Sequence, residues 1–120
     1  MEFQFDNERP IYLQVVETLR RSIVSRRLAP GERLPSVRDL ALQAKVNPNT
    51  MQKALSELES AGLIYTERTN GKFVTRDPSV ISAAQSALAD EIAHRFLHEM
   101  EALGFSSDEA AAYLTKEETL

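Results

Sequence analysis

Hydrophobic and polar residues recur along the first half of the chain with the period of an amphipathic helix. The first predicted helix begins at Pro10, a residue favoured at the first helical position, and runs to about Arg27. A Pro-Gly turn separates it from a short second helix, which Ser36 can cap with Asp39 three residues later. Each helix has one apolar side that can pack on a core. These sides are formed by Tyr12, Val16, Leu19 and Ile23 in the first helix and by Val37, Leu40 and Ala41 in the second.

The third predicted helix combines an apolar side with an extended polar face. Asn47 is a typical N-cap residue and Pro48 a typical first residue, so the helix begins there with its free backbone N–H groups exposed. It ends before Gly62, a residue suited to the left-handed conformation that follows a helix. The apolar positions are Met51, Ala54, Leu55 and Leu58, and the polar stripe is Asn49, Gln52, Lys53 and Ser56. Such a stripe predicts a surface that contacts a partner.

Two short alternating segments, LIYTER and KFVT, follow the third helix. They flank Thr69, Asn70 and Gly71, and Asn-Gly is the strongest local signal for a tight hairpin, with a positive φ expected at Gly71. Two helices, a tight turn, a polar-faced helix and a hairpin together predict a winged helix-turn-helix domain over residues 1–76. The fold class is therefore mainly α with a small β-hairpin. In this fold the third helix enters the major groove of DNA through its N-terminal residues.

The polar stripe has the side-chain chemistry that DNA recognition requires. The amides of Asn49 and Gln52 can each pair with adenine, and Lys53 can donate to guanine or hold a phosphate. Arg38 lies in the first turn of the second helix, where the helix dipole does not favour a cation, so an external anion explains its position better. Two alternatives remain open: the stripe faces water, and Arg38 pairs with Asp39 or another carboxylate.

Residues 77–120 predict a second region with a different role. An apolar stripe between Asp77 and Gly104 predicts one long amphipathic helix, and the capping-box pair Ser106 and Glu109 begins a short one. Two such helices cannot enclose an effector, but they can bury their stripes against a second copy of the chain. The alternative is that the long helix folds back on its own winged domain. The predicted dimerisation residues are Ile81, Leu88, Ile92, Phe96, Met100 and Leu103.

Charge divides the chain between the same two regions. Lys and Arg number 12 against 10 Asp and Glu in residues 1–77, and 2 against 8 in residues 78–120, within a net charge of −4. The first region can therefore present local positive patches to a polyanion, whereas the second repels one.

Composition argues against several classes of protein. The chain has no cysteine and no apolar run long enough to cross a bilayer, and no recognisable catalytic constellation suggests an enzyme. His94 and His98 lie one helical turn apart, a spacing that metal ligands use, but they project opposite the apolar stripe, where solvated residues belong. We therefore expect a cytoplasmic protein with no metal, no cofactor and no membrane contact.

The segment PGERLPSVRDLALQAKVNPNTMQKALSELESAGLIYTERTNGKFVT closely resembles the DNA-binding domain of GntR-family bacterial transcription regulators. Those regulators place a Pro-Gly turn, LPS, an Arg two residues after that Ser, and a Thr-containing third helix before a Gly-tipped wing. The match covers roughly residues 10–76 without gaps. Family wings often have two glycines near the tip, whereas ERTNGKF has one. The short two-helix tail resembles the YtrA-type subfamily, in which the C-terminal helices dimerise the protein.

The resemblance implies a role for particular residues. It places Ser36 and Arg38 near the DNA backbone and groove edge, and the third helix in the major groove. The helix residues implied are Asn47, Pro48, Asn49, Thr50, Gln52 and Lys53. The wing residues implied to enter the minor groove are Arg68, Thr69, Asn70, Gly71 and Lys72.

These observations predict a homodimeric, sequence-specific transcription regulator. We expect a repressor that occludes a palindromic double-stranded DNA operator, with room for an unidentified small-molecule effector. The alternative is a winged-helix protein-protein interaction module without specific DNA readout.

Overall fold

The computed structural model describes residues 1–118, with side chains up to Lys116. In this part of the chain the elements are α1 (Ile11–Val24), α2 (Val37–Ala44), α3 (Pro48–Ser60), β1 (Ile64–Glu67), β2 (Gly71–Val74), α4 (Pro78–Ala102) and α5 (Ser107–Glu118). The fold is mainly α with one antiparallel β-hairpin, which confirms the predicted fold class. Among the described residues, no helix is both long and apolar enough to span a bilayer.

The starts of α2 and α3 are set by side-chain caps. The Ser36 hydroxyl accepts a hydrogen bond from the Asp39 N–H over 3.1 Å, and Asn47 Oδ1 accepts from the Asn49 N–H over 2.7 Å. At the other end of α3, Gly62 has a φ of +79°. These local signals are confirmed because each cap depends on residues within three positions of the helix end.

The end of α1 differs from the prediction. The helix was expected to reach about Arg27, but it ends at Val24, and Arg26 adopts a φ of +67°. The chain turns there so that the Leu28 N–H donates to the Ser22 carbonyl over 3.0 Å and the Leu28 side chain becomes buried. Burial of Leu28 therefore ends a helix that the spacing of apolar residues would have continued.

The core of the winged domain lies between α1, α3 and the hairpin. α3 contributes its whole apolar side, and α1 packs against it. The largest fully buried side chains in this core, one of them from α2 and one from α4, are Leu19, Ile23, Leu40, Met51, Leu55, Leu58, Leu63, Ile64 and Ile81. Because this packing buries the apolar side of α3, the polar stripe on the opposite side faces solvent.

The hairpin has a longer connection than a two-residue turn. Residues 68–70 join the strands, the Asn70 N–H donates to the Glu67 carbonyl over 3.2 Å, and Gly71 then pairs with Glu67. The φ of Gly71 is +99°, as expected, but Asn70 does not share a positive φ. Gly71 therefore ends the connection and does not form the centre of an Asn-Gly turn.

A third extended segment pairs with the other edge of β2. The Leu34 N–H donates to the Lys72 carbonyl over 2.8 Å, and the Val74 N–H donates to the Glu32 carbonyl over 2.9 Å. Between these bonds Arg33 lies opposite Phe73. The turn before α2 is therefore fixed to the wing by backbone hydrogen bonds.

The N-terminal segment is attached to α1 through one buried side chain. Gln14 accepts from the Asp6 N–H over 2.9 Å, and its amide donates to the Asp6 and Arg9 carbonyls over 3.0 and 2.9 Å. Phe3 and Phe5 pack against the core beside it.

The described chain divides into two compact units, Met1–Gln85 and the part that begins at Ser86, and α4 begins in the first. Ile81 is only 1% exposed and belongs to the winged-domain core, and the Gln85 amide donates to the Val24 carbonyl over 3.2 Å. The first compact unit therefore extends past the boundary expected after Arg76. Ile81 was predicted in the dimerisation stripe, but its side chain already packs within its own winged domain.

The second unit contains the rest of α4 and α5. The predicted capping box is confirmed, because the Ser106 N–H donates to Glu109 Oε1 over 3.0 Å while the Glu109 N–H donates to the Ser106 hydroxyl over 3.2 Å. The rings of Phe105 and Tyr113 meet edge to face at 5.3 Å. Several large apolar side chains of this unit are exposed, namely Ile92, Leu97, Leu103, Tyr113 and Leu114.

Candidate nucleic-acid interface

The N-terminal part of α3 presents polar side chains to solvent. Asn49, Gln52 and Lys53 are exposed, while Met51 and Leu55 on the opposite side are fully buried. Pro48 at the first position has no N–H, and the Asn49 N–H is already bonded to the cap. The polar side chains and the positive end of the helix dipole therefore face the same region of solvent at the N-terminus of α3.

The amide side chains on this face are only weakly engaged. Gln52 Nε2 donates to the Ser56 hydroxyl over 3.3 Å, a long bond in an exposed position. Asn47 uses Oδ1 as the helix cap, which leaves its amide nitrogen as a donor. Thr50 is half-buried, so its hydroxyl lies at the edge of the face. Amide groups in this state can exchange weak contacts or water for base edges at little cost.

Lys53 is held by an aromatic ring. Its ammonium lies 3.7 Å from the centre of the Tyr12 ring, a cation–π contact between α3 and the start of α1. An open depression of about 360 Å³ lies at the same place, lined by Ile11, Tyr12, Asn49, Thr50 and Lys53. The first turn of α1 is therefore part of this face, which the sequence analysis did not include.

Ser36 and Arg38 lie at the start of α2. The Ser36 oxygen serves as the helix cap and its hydroxyl proton remains available to an acceptor. Arg38 is exposed, and among the described residues no carboxylate lies within ion-pair distance of its guanidinium. The structure therefore does not contain the pairing with Asp39 that was the alternative explanation for this arginine.

The wing residues divide into two groups. Arg68, Thr69 and Asn70 are exposed at the tip, where the Asn70 amide donates to Glu67 Oε2 over 3.1 Å. Lys72 lies lower on the hairpin and is only 19% exposed. The three tip residues therefore share one exposed surface. Lys72 is not part of that surface, because its side chain extends towards Glu59 of α3.

Lys72 connects the wing to the C-terminal half of α3. Its ammonium forms an ion pair with Glu59 Oε1 at 3.1 Å and donates to the Thr66 hydroxyl over 2.9 Å. The Thr66 hydroxyl in turn donates to Glu59 over 2.7 Å, and this bond, followed by the Lys72 contact, lowers the pKa of the Glu59 carboxyl. Glu59 and Thr66 take two of the three donors of the Lys72 ammonium, and Glu59 balances its charge, so the structure gives Lys72 a role inside the domain.

Arg33 is a cation beside the wing that sequence reasoning missed. It is exposed and its guanidinium lies against Gly71. No periodicity in the sequence could place it there, because the pairing of residues 32–34 with β2 is a tertiary contact. The only local signal was an unexplained arginine between the Pro-Gly turn and LPS.

The two histidines of α4 belong to the second compact unit. His94 Nδ1 donates to the Asp90 carbonyl over 2.8 Å, an ordinary contact one turn back along the helix. Within the described part of the chain, no group of three His, Cys, Asp or Glu side chains is arranged to hold a metal ion.

Comparison with known sequences identifies one family. Residues 11–74 match the family model described as bacterial regulatory proteins, gntR family. The chain is 38% identical over 109 residues to the uncharacterized HTH-type transcriptional regulator YhcF of Bacillus subtilis (strain 168), covering 91% of this chain and 90% of that protein. It is 40% identical over 68 residues to the HTH-type transcriptional repressor YtrA of the same strain, covering 57% of this chain and 52% of that protein.

Solved structures share the architecture. A GntR family transcriptional regulator from Listeria monocytogenes superposes with a TM-score of 0.87 and 38% identity, covering 93% of this chain and 98% of that one. The DNA-binding domain of AraR in complex with operator ORX1 superposes with a TM-score of 0.57 and 30% identity, covering 62% of this chain and 96% of that one.

Proposed function

Because the chain belongs to the gntR family of bacterial regulatory proteins, we propose that it binds one operator sequence as a two-fold homodimer and represses transcription there. The family match and the fold make it a transcription regulator with a winged helix-turn-helix DNA-binding domain. Base-specific readout, dimerisation and repression are the further properties proposed.

The observation that carries the proposal is the exposed polar face at the N-terminus of α3. Asn49 and Gln52 have the paired donor and acceptor that match adenine in the major groove, and neither makes a strong contact in the domain. Arg38, without a carboxylate partner in the described structure, supplies a phosphate contact that positions this face. AraR is described in complex with an operator, which supports the same use of this domain here.

The exposed apolar side chains of the second unit support a dimer. Leu103 is 73% exposed and Leu114 54% exposed, and Ile92 is also open to solvent, while Phe96 and Met100 are half-buried. Side chains of this size are rarely left in water together on a monomer. We therefore propose that two copies of the chain meet along one surface of α4, called the seam below. It consists of Ile92, Phe96, Met100 and Leu103. Ile81 and Leu88 are already buried and contribute less.

The charge distribution and the size of a DNA-bound dimer support repression. Residues 78–120 carry 8 acidic residues against 2 basic ones, so DNA contact falls to the winged domain. A small dimer that covers its operator prevents other proteins from reaching the promoter. The relative YtrA is named a transcriptional repressor, which agrees with this mode of action.

Selection of bound duplexes from a random library tests the proposal. We expect the full-length protein to enrich a palindrome whose half-sites are about one helical turn, or a multiple of it, apart, because a two-fold dimer presents two recognition helices to the same side of the duplex. Transcription from a promoter that carries the selected site should then fall when the protein is added. Enrichment of no common sequence would reject operator recognition, and enrichment of isolated half-sites would reject the dimer.

A further inference from the structure

We infer that Arg33 contacts a DNA phosphate beside the wing. The inference rests on the proposed DNA binding. It adds a residue that lies outside both the recognition helix and the hairpin.

The Arg33 guanidinium lies against the glycine of the wing. A β-carbon built on Gly71 would be 3.4 Å from Nε, 3.6 Å from Nη2 and 4.0 Å from Cζ of Arg33. The charged group itself, and not only its aliphatic stem, therefore borders the wing at the point where the strand connection ends. Because glycine has no side chain, the guanidinium approaches the wing backbone closely and remains exposed.

The backbone of Arg33 is fixed in place by the sheet. Arg33 lies opposite Phe73, between the hydrogen bonds that Leu34 and Val74 donate across the edge of β2. A cation carried on such a segment loses less conformational freedom when it binds an anion than one on a free loop would. The charge beside the wing is thus positioned before DNA arrives.

Nearby carboxylates do not neutralise this charge. In the described residues, no Asp or Glu oxygen lies within ion-pair distance of the Arg33 guanidinium. Its neighbour Glu32 accepts from the Ala29 N–H over 2.9 Å, and Glu67 on the hairpin accepts from the Asn70 amide. Each of these carboxylates has another hydrogen-bond partner, and neither forms an ion pair with Arg33. An exposed guanidinium in this state matches the geometry of a phosphate.

Lys72 provides the contrast. Two of the three donors of its ammonium are taken by Glu59 and Thr66 and its charge is paired with Glu59, although Lys72 follows Gly71 directly in the sequence. Beside the hairpin, the Arg33 guanidinium is open to an external anion. Lys72 of the hairpin instead links the wing to α3 through Glu59.

Salt dependence of operator binding separates the two cations. With full-length protein and a selected operator duplex, Arg33→Gln should reduce the slope of log affinity against log salt by about 0.9 for each protomer bound, the value for one phosphate contact. Arg33→Lys should keep the slope, because it keeps the charge. Lys72→Gln is the matched control on the wing and should leave the slope unchanged. A wild-type slope for Arg33→Gln would overturn the inference.

Neutral backbone substitutions locate the contact. In a series of duplexes that each carry one methylphosphonate, one position per half-site should weaken wild-type binding but cause no further loss with Arg33→Gln. If every position weakens both proteins equally, Arg33 contacts no phosphate. Wild-type protein that fails to prefer any duplex would instead reject the proposed function itself. The two failures are therefore distinguishable in one set of titrations.

Discussion

The cations of the candidate interface differ in what already holds them. Arg38 and Arg33 have no carboxylate within ion-pair distance in the described structure, Lys53 rests on the Tyr12 ring, and Lys72 is paired with Glu59. An arginine without an internal partner has no interaction to give up when a phosphate approaches, whereas Lys72 would have to exchange one. Although all four side chains carry the same formal charge, we expect their contributions to DNA affinity to differ.

Substitution at the residue scale should separate positioning from base readout. Arg38→Ala should weaken binding to specific and random duplexes alike, because a phosphate contact carries no sequence information. Asn49→Ala should instead relax preference at one base pair by about 1–3 kcal/mol, the worth of a good bidentate contact. Competition titrations with single-base operator variants measure both effects. An Asn49→Ala protein with unaltered base preference would remove this residue from the readers.

At the scale of elements, side chains connect structures that are separate in sequence. Lys72 and Thr66 link the hairpin to α3 through Glu59, and residues 32–34 extend the sheet beyond β2. The first two turns of α4 pack Ile81 into the winged core. The wing and the start of α4 are consequently parts of the domain and are not appendages to it.

The link through Glu59 should depend on pH in a defined direction. Hydrogen bonds from Thr66 and Lys72 lower the pKa of Glu59 in the folded state. Its contribution is therefore fully present above the unfolded pKa of about 4.3 and is lost as pH falls through the lower folded value. Because the Glu59 side chain is 41% exposed and solvent screens the pair, we expect a contribution of less than about 1 kcal/mol.

Comparison with Glu59→Gln isolates this contribution. Urea unfolding should show wild type as the more stable protein at pH 6, and the difference should shrink below pH 4 as Glu59 becomes protonated. Other carboxyls with a lowered pKa, such as Asp77, titrate in both proteins and cancel in the difference. A constant difference between pH 6 and pH 3 would contradict the assignment.

Burial of Ile81 gives a second prediction at this scale. Ile81→Ala should destabilise the winged domain by about 2–5 kcal/mol, the usual cost of removing a buried isoleucine side chain. Leu42→Ala is a suitable control, because Leu42 is a large apolar residue on α2 that is 68% exposed and should change stability by less than about 0.5 kcal/mol. Equal urea midpoints for the two variants would show that Ile81 lies outside the cooperative core.

Sequence alone could predict elements whose signals are local. Ser36, Asn47 and the Ser106–Glu109 pair begin their helices as expected, because a cap needs only its own first turn. The partner of Lys72 could not be predicted, since Glu59 comes 13 residues earlier and meets it only after the hairpin folds back. Periodicity placed Ile81 on the apolar stripe of α4. Periodicity along one helix could not show that the first part of α4 belongs to one compact unit and the rest to another, because this division depends on tertiary contacts.

At the scale of the whole molecule, the two units carry different surfaces. The unit Met1–Gln85 is closed by its own core and exposes polar groups at α3 and the wing. In its described part, the unit beginning at Ser86 exposes five large apolar side chains, namely Ile92, Leu97, Leu103, Tyr113 and Leu114. The proposed DNA recognition therefore belongs to one unit and the proposed self-association to the other.

Truncation should separate the two activities. A fragment of residues 1–85 should fold and remain monomeric, because it keeps Ile81 and the Gln85 contact with α1. Its affinity for a full operator should collapse towards that for a half-site, since the second half-site becomes an independent binding event. A fragment of residues 1–76 should be less stable. Circular dichroism and half-site titrations check these outcomes, and a 1–85 fragment that binds as tightly as the full chain would contradict them.

Charge placed in the proposed seam should have the same effect as truncation. Phe96→Asp should yield a folded monomer in sedimentation at tens of micromolar, because a buried carboxylate without a partner opposes association. His98→Asp, on the polar side of α4, is the matched control and should remain dimeric. A monomeric wild-type protein, or a dimeric Phe96→Asp variant, would reject the seam.

The contact between Lys53 and Tyr12 also has a spectroscopic consequence. The chain contains three tyrosines and no tryptophan, so Tyr12→Trp would introduce a single indole directly beneath the Lys53 ammonium of α3. Indole is the aromatic group that holds a cation most strongly, so the contact should persist in the free protein. If Lys53 leaves the ring to reach DNA, the indole emission should change on operator binding, and it should stay constant if Lys53 remains in place. The fluorescence of one residue would then report whether Lys53 of α3 moves from the aromatic ring to the DNA.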